Sequence, residues 1–323
     1  MEQKKILVIR FSSIGDIVLT TPVIRCLKQQ VKNVIVHYVT KESFRETLIH
    51  NPYIDKLHTF KKDVSEIYPE LKAEKYDYVI DLHKNLRSLR LKQQLNAKSF
   101  SFDKINLRKF IAVNFKILDS LPDKHIVERY FEATAPLYVV PDNKGLDYFL
   151  SEGDSVNVNA IYFKNSETKY TALVVGGSYY TKKIPLEKLE EICSKIKTSI
   201  IALGNKDDKN ISEVLEKKFP NVINACGEYS INQSASIIKQ ADMVITSDTG
   251  LMHIAAAFNK KIISLWGNTI PEFGMGPYLP NKENKILEIK DLSCRPCSKL
   301  GYKSCPKGHF KCMMDIDVSK INV

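Results

Sequence analysis

The 323-residue sequence predicts an α/β protein built from two successive parallel-sheet domains with a cleft between them. Three observations predict it. Apolar runs of four to six residues alternate with helical stretches, the signature of βαβ units. The alternation lapses in the polar segment Ser151–Lys169 and restarts at Thr171. The length is about twice the ~150 residues of an average domain. Expected boundaries are therefore 1–155 and 156–323. With 44% hydrophobic and 26% charged residues, the composition excludes a disordered or collagenous chain. No apolar run approaches the ~18 residues of a membrane span. The run Ile6–Ile9, interrupted by Arg10, is too short for a signal-peptide core, so a cytoplasmic protein is expected.

In the first domain, Lys5–Arg10 reads as a buried strand. A loop follows at Phe11–Gly15, then a helix over about Asp16–Gln30. Strands are expected at Val34–Val39 and Tyr78–Leu82, and helices at Ser43–His50, Leu107–Leu121 and His125–Tyr138. In the second domain, strands are expected at Thr171–Val175, Ser199–Leu203, Val222–Ala225, Met243–Thr246 and Lys261–Leu265. The helices between them are Leu186–Lys197, Asn210–Phe219, Ile231–Gln240 and Gly250–Phe258, giving a sheet of five or six strands.

The net charge of +11 is uneven. From Leu82 to Arg129 eleven basic residues face four acidic ones. Such a surface suits a polyanion (nucleic acid, an acidic membrane leaflet or a phosphorylated substrate), or is simply a solvated charged face.

Three strand-to-helix loops carry residues suited to chemistry, because ligands of open α/β sheets bind beyond the carboxyl ends of the strands. Phe11-Ser12-Ser13-Ile14-Gly15-Asp16 has a single glycine, which argues against a nicotinamide enzyme. Asp16 is either a helix cap or a general base for a hydroxyl. Gly176-Gly177-Ser178 leads to Thr181-Lys182-Lys183, where backbone N–H groups, two hydroxyls and the Lys182 cation suit a diphosphate. An ordinary glycine turn explains the same residues. In Ser247-Asp248-Thr249-Gly250-Leu251-Met252-His253, the N–H groups of Thr249, Gly250 and Leu251 open a helix and suit a phosphate. Asp248 is a cap or a partner for sugar hydroxyls, and His253 a core or a site histidine. Asp207 and Asp208 follow another strand and suit ribose hydroxyls. The glycine- and proline-rich Gly267–Tyr278 loop should border the same cleft.

Of seven cysteines, Cys294, Cys297, Cys305 and Cys312 cluster near the C-terminus. The first pair has zinc-ligand spacing and the second is wider, so structural zinc, packed thiols and disulfides all stay open.

Taken together, Ile6–Pro22, Asp81–Ser88, His125–Tyr130, Thr181–Pro185, Ser247–Ala257, Gly267–Tyr278 and the cysteine-rich tail resemble glycosyltransferase family 9, the ADP-heptose:lipopolysaccharide heptosyltransferases. The chain departs from the family's usual pattern at Ile184 and at Val175-Gly176-Gly177. The resemblance implies a GT-B-type fold, two Rossmann-like domains facing across a cleft, with acceptor in the first and nucleotide-sugar in the second. It implies an inverting, metal-independent transfer without a cofactor, and no metal-ligand residues. Asp16 is then similar to the family's general base. Gly177, Ser178, Thr181, Lys182, Asp208, Asp248, Thr249, Gly250, Leu251 and His253 would bind the ADP-heptose donor. Ser13, Gly15, His83, Lys84, Arg87 and Arg90 would meet an anionic Kdo–lipid A acceptor at the inner leaflet, the enzyme being peripheral to the membrane. Nucleic acid is not an expected partner. Two other readings are a relative moving a different nucleotide sugar and a basic nucleotide- or nucleic-acid-binding non-enzyme.

Overall fold

The computed structural model describes residues 3–321. The chain divides into two units: the stretch up to Lys104 with Lys124–Phe149, and Ile105–Asp123 with the stretch from Leu150 on. In the first unit, β1 (Lys4–Ile9), β2 (Val34–Lys41), β3 (Lys56–Phe60), β4 (Tyr78–Asp81) and β5 (Lys98–Ser101) form one parallel sheet in the order β3-β2-β1-β4-β5. Its helices are α1 (Ile14–Val18), α2 (Thr21–Gln30), α3 (Tyr68–Ala73), α4 (Leu86–Leu95) and α6 (Ile126–Glu132). Ile6–Ile9 in the central strand are fully buried, as expected for a parallel strand covered on both faces.

The second unit contains β6 (Tyr170–Val174), β7 (Ser199–Leu203), β8 (Val222–Asn224), β9 (Met243–Ser247), β10 (Lys261–Trp266) and β11 (Lys285–Glu288). Their order, β11-β10-β9-β6-β7-β8, is again entirely parallel. Its helices are α5 (Asn106–Phe115), α7 (Val158–Tyr162), α8 (Leu186–Lys195), α9 (Lys209–Lys218), α10 (Ile231–Gln240), α11 (Gly250–Ala257) and α12 (Lys311–Met314). Counted from its first strand, each sheet grows outward in one direction, returns to its start, and grows the other way. That reversal leaves a crevice between β1 and β4 in one unit and between β6 and β9 in the other.

Several elements differ from expectation for identifiable reasons. The single helix expected over Asp16–Gln30 is two, because Pro22 has no N–H for the carbonyl of Val18; Thr21 Oγ1 donates to that carbonyl instead, at 2.7 Å. The helix expected over Leu107–Leu121 ends at Phe115, where Lys116 turns left-handed with φ 61°. It also belongs to the second unit rather than to the expected 1–155 domain, since its inner face, with Ala112 and Val113, packs on Ile270 and Phe273. Ser43–His50 forms a 3-10 turn over Glu42–Thr47, and the helix expected to Tyr138 ends at Glu132, shortly before Pro136. Three unexpected strands, β3, β5 and β11, lie at sheet edges, where few residues or none are buried and the apolar signal is weak.

Beside β2 and β3 the first unit buries a polar network. His37 Nδ1 lies 2.9 Å from Tyr76 OH and 3.1 Å from His58 Nε2, and His58 Nδ1 lies 2.7 Å from Glu70. Burial, reinforced by His58, holds His37 down to about 4; burial lowers His58 as well, against the pull of Glu70. An unfolded histidine gains its proton near pH 6.5, so between pH 6.5 and about 4 the unfolded chain takes up protons that the folded unit refuses. Stability is therefore full above pH 6.5 and falls as the pH drops toward 4, by on the order of 3 kcal/mol for His37. Thermal melts between pH 7 and 4 should show this decline, and His37→Asn should make it shallower, with His58 and His83 still contributing. An unchanged slope in that variant would exclude the network as its source.

Candidate active site

The β1/β4 crevice is built from the two loops that leave those strands. Ile9 pairs with Asp81, so Arg10 and Leu82 emerge side by side. Arg10 is buried and donates from Nη1 to Leu82 O at 2.7 Å and to Tyr130 OH at 3.1 Å, and from Nε to Ser12 O at 2.7 Å. Its Nη2 meets Asp16 Oδ1 at 2.7 Å. Burial disfavours the guanidinium charge, but Asp16, Tyr130 and Tyr38 together outweigh it, and Arg10 is held above its ordinary value.

Asp16 forms the expected cap and keeps part of its side chain open to solvent. It is the third residue of α1, and its Oδ2 accepts from Ser13 Oγ at 2.8 Å and Ser13 N at 3.3 Å, which makes it half of a capping box. Its side chain remains 24% exposed, so a substrate hydroxyl can reach it. Gly15 is buried in the same turn and Ser13 is exposed.

The second loop hangs on Asp81, which is fully buried. Its Oδ1 accepts from the N–H groups of His83 and Lys84, and its Oδ2 from Ser88 Oγ and Lys92 Nζ at 2.9 and 3.0 Å. Those bonds set the start of α4. His83 packs 4.8 Å from the Phe11 ring, and burial together with Arg10 drives it down to about 3, so it is neutral throughout the physiological range. The Arg87 guanidinium lies over the Phe11 ring at 5.8 Å, Arg90 is exposed, and Lys84 Nζ donates to Phe102 O.

In the second unit, Lys182 Nζ meets Asp248 Oδ2 at 2.6 Å across the β6/β9 crevice, and Thr269 Oγ1 donates to the same oxygen at 3.0 Å. Thr249 caps α11, leaving the partly exposed Gly250 and Leu251 in its first turn. First-turn N–H groups have no partner within their own helix and favour an anion. Ser178 is exposed and Gly177 half-buried, whereas His253 is buried. Next to this cluster, Ser247 Oγ and both amide atoms of Asn268 are buried without a hydrogen-bond partner.

Two expected donor residues are occupied otherwise. Asp208 is fully buried; its Oδ1 holds Lys183 at 2.6 Å and its Oδ2 accepts from Asn205 N at 3.0 Å. Asp207, two-fold rival for the ribose, is the exposed one of the pair. The Thr181 hydroxyl accepts from Tyr302 N at 2.8 Å and so ties its loop to the tail. The tail braces the opposite side too. Arg295 donates to Gly267 O and Thr269 O at 2.7 and 2.9 Å and pairs with Glu288 at 2.6 Å. None of the four tail cysteines forms a disulfide. Burial, together with the neighbouring thiols, raises Cys297 to about 11 and Cys312 to about 12. Among the described residues, the one trio of ligand-type atoms within 4.8 Å of one another is His37, His58 and Glu74, and Lys5 and Lys56 already hold that glutamate.

Sequence reasoning missed Arg10, Asp81, Thr269 and Arg295 as organisers. For Arg10 and Asp81 the available signal was a lone charge at the end of an apolar strand, which burial compels to find partners; Thr269 and Arg295 carried no such signal.

The close approach of Gly176 to Asp208 yields a test. A Cβ at Gly176 would lie 2.5 Å from Asp208 Oδ2. Gly176→Ala should cost about 1–3 kcal/mol, and Asp208→Ala about 3 kcal/mol by stranding Lys183 and the Asn205 N–H. The double variant should cost less than the sum, because the clash goes with the carboxylate. Urea denaturation measures all three, and strict additivity would refute the contact.

Comparison with known proteins agrees with this geometry. The model of "Glycosyltransferase family 9 (heptosyltransferase)" matches residues 64–304. The chain is 27% identical to lipopolysaccharide heptosyltransferase 1 of Campylobacter coli over 82% of this chain and 84% of that one. Among solved structures, it resembles a family 9 glycosyl transferase from Veillonella parvula at a TM-score of 0.76 and 22% identity, covering 90% and 89% of the two chains. Escherichia coli heptosyltransferase WaaC, solved with ADP-2-deoxy-2-fluoro heptose, aligns at a TM-score of 0.65 and 19% identity over 87% of this chain and 92% of that one. The two parallel sheets are thus those of a GT-B-type fold, and with three quarters of its length matched by the family model, this chain belongs to glycosyltransferase family 9, the heptosyltransferases.

Proposed function

We propose that this protein moves a heptose from ADP-heptose onto the inner core of lipopolysaccharide, a Kdo–lipid A type acceptor, by a single inverting displacement that needs no metal. The observation that carries the reading is a partly exposed Asp16 carboxylate held beside a buried cation at the β1/β4 crevice. Supporting it are the name of the Campylobacter coli relative and the ADP-sugar bound to the Escherichia coli structure.

In this reading the acceptor hydroxyl gives its proton to Asp16 as its oxygen attacks the anomeric carbon. The bond to ADP breaks on the opposite face, and negative charge grows on the diphosphate. Lys182 and the first N–H groups of α11 stabilise that charge more in the transition state than in the bound donor. Asp248 accepts from the sugar hydroxyls, while its pairing with Lys182 keeps both groups in place before the donor arrives. Gly177 and Ser178 line the same loop. Ribose recognition falls to the exposed Asp207, since Asp208 is a buried brace. Arg87 and Arg90 on α4, with Lys84 before it, meet the acceptor's phosphates and carboxylates at the cytoplasmic face of the inner membrane.

Mass spectrometry of product formed from ADP-heptose and a deacylated Kdo acceptor tests the transfer, and NMR of the new anomeric centre tests the inversion. Asp16→Asn retains an oxygen able to cap α1 and removes the base. Turnover should fall about 10²–10⁴-fold with ADP-heptose affinity nearly unchanged, while the melting temperature drops because buried Arg10 loses its counter-charge; full activity would remove Asp16 from this role.

A second test concerns the ion pair. Asp248→Asn should release Lys182 and tighten ADP about fivefold, equivalent to ~1 kcal/mol for a partly exposed pair, while slowing transfer. Calorimetry that finds weaker ADP binding would contradict the assignment of Lys182 to the diphosphate.

A further inference from the structure

Helix α5 and the turn after it present an apolar surface that nothing in the reaction uses. Leu107 is 72% exposed, Phe110 56%, Phe115 65% and Ile117 54%. Leu118 joins them, so five large hydrophobic side chains lie open within twelve residues. Single exposed leucines are ordinary, but a cluster of this density on one short element marks an interaction surface. The rings of Phe110 and Phe115 stand 6.3 Å apart, so the cluster is continuous across their two ends of the helix.

The inner side of the element is well anchored. Ala112 is fully buried against Ile270 and Phe273, and Val113, Leu121 and Met275 pack around them. Lys109 Nζ lies 5.5 Å from the Phe273 ring. Lys116 Nζ donates to Pro296 O at 2.7 Å and to Val113 O at 2.6 Å. The apolar side chains are thus displayed by a fixed helix.

Charge selects the occupant. Between Lys104 and Leu118 the sequence carries Lys104, Arg108, Lys109 and Lys116 and no carboxylate. A protein partner of an apolar helix needs no such bias, and a second copy of this basic chain would oppose it. An anionic bilayer satisfies both properties: aromatic and aliphatic groups enter the headgroup region while lysines and arginines stay at its negative surface. No helix among the described residues is long and apolar enough to span a membrane, so contact through such a face would be reversible.

We infer that α5 is a membrane-docking helix that seats the enzyme on an anionic lipid surface through Leu107, Phe110, Phe115 and Ile117. The benefit to catalysis rests on the lipid-borne acceptor proposed above; the docking itself does not.

Vesicle co-sedimentation of the full chain tests it. Wild type should bind vesicles containing about one third phosphatidylglycerol, bind pure phosphatidylcholine poorly, and release as salt rises. The triple variant Leu107→Ser, Phe110→Ser, Phe115→Ser, whose side chains are exposed, should keep its melting temperature and lose vesicle affinity about tenfold or more. Transfer to a soluble deacylated acceptor should be the same in both proteins, whereas transfer to acceptor embedded in vesicles should drop in the variant. Equal vesicle binding by the two proteins would overturn the proposal. So would wild-type dimers, seen by analytical ultracentrifugation without lipid, that the same substitutions dissolve. Failure of transfer to the soluble acceptor by wild type would instead count against the proposed reaction and leave the docking result standing.

Discussion

A guanidinium withdrawn from water must find anions and carbonyls, and Arg10 imposes that demand on the first unit. The cost of leaving it unpaired is several kcal/mol, which the surrounding chain avoids by surrounding it with acceptors. Ser12 O, Leu82 O, the Tyr130 hydroxyl and Asp16 are those acceptors. They come from the loop after β1, the loop after β4, and α6. One cation therefore sets the spacing of the two crevice loops and fixes the orientation of the one carboxylate that remains within reach of solvent.

The second unit solves a comparable problem with pairs rather than a hub. Lys182 with Asp248, and Lys183 with Asp208, are neighbours in sequence with opposite fates. The first pair lies at the crevice and can exchange partners when an anion arrives. In the second only the carboxylate is sealed, and it is the packing partner of Gly176 and Gly204. A glycine at each of those positions lets the β6 and β7 loops close over Asp208. Two adjacent lysines that look interchangeable in the sequence thus have different partners, one an aspartate at the crevice and the other an aspartate buried beneath the loops.

Much of this was readable in advance. The central strands were legible because parallel strands buried on both faces are continuous apolar runs, as in Lys5–Arg10 and Met243–Thr246. α10 was expected at Ile231–Gln240 and found there, bracketed by the Ser230 cap and its Gln233 partner. Edge strands such as β5, with the sequence Lys-Ser-Phe-Ser, carry too little apolar character to be seen. The site loops were located by their place after strands, but the division of labour within them was not, since it depends on contacts between residues far apart in sequence. Asp208 reads as a ribose ligand until Lys183 and Gly176 are seen to enclose it. Likewise, Thr181 reads as a phosphate donor until Tyr302, 121 residues later, is seen to claim its hydroxyl. The placement of α5 depends on Ile270 and Phe273, which no local pattern reveals.

The cysteine-rich tail reaches both sides of the β6/β9 crevice, through Tyr302 to Thr181 and through Arg295 to Gly267 and Thr269. Whatever tightens those loops also tightens the tail, and the linkage runs in both directions. Cys297 and Cys312, held protonated by burial, are sluggish toward electrophiles while the tail stays folded. The alkylation rate of these two thiols therefore reads out the folding of the segment that braces the crevice.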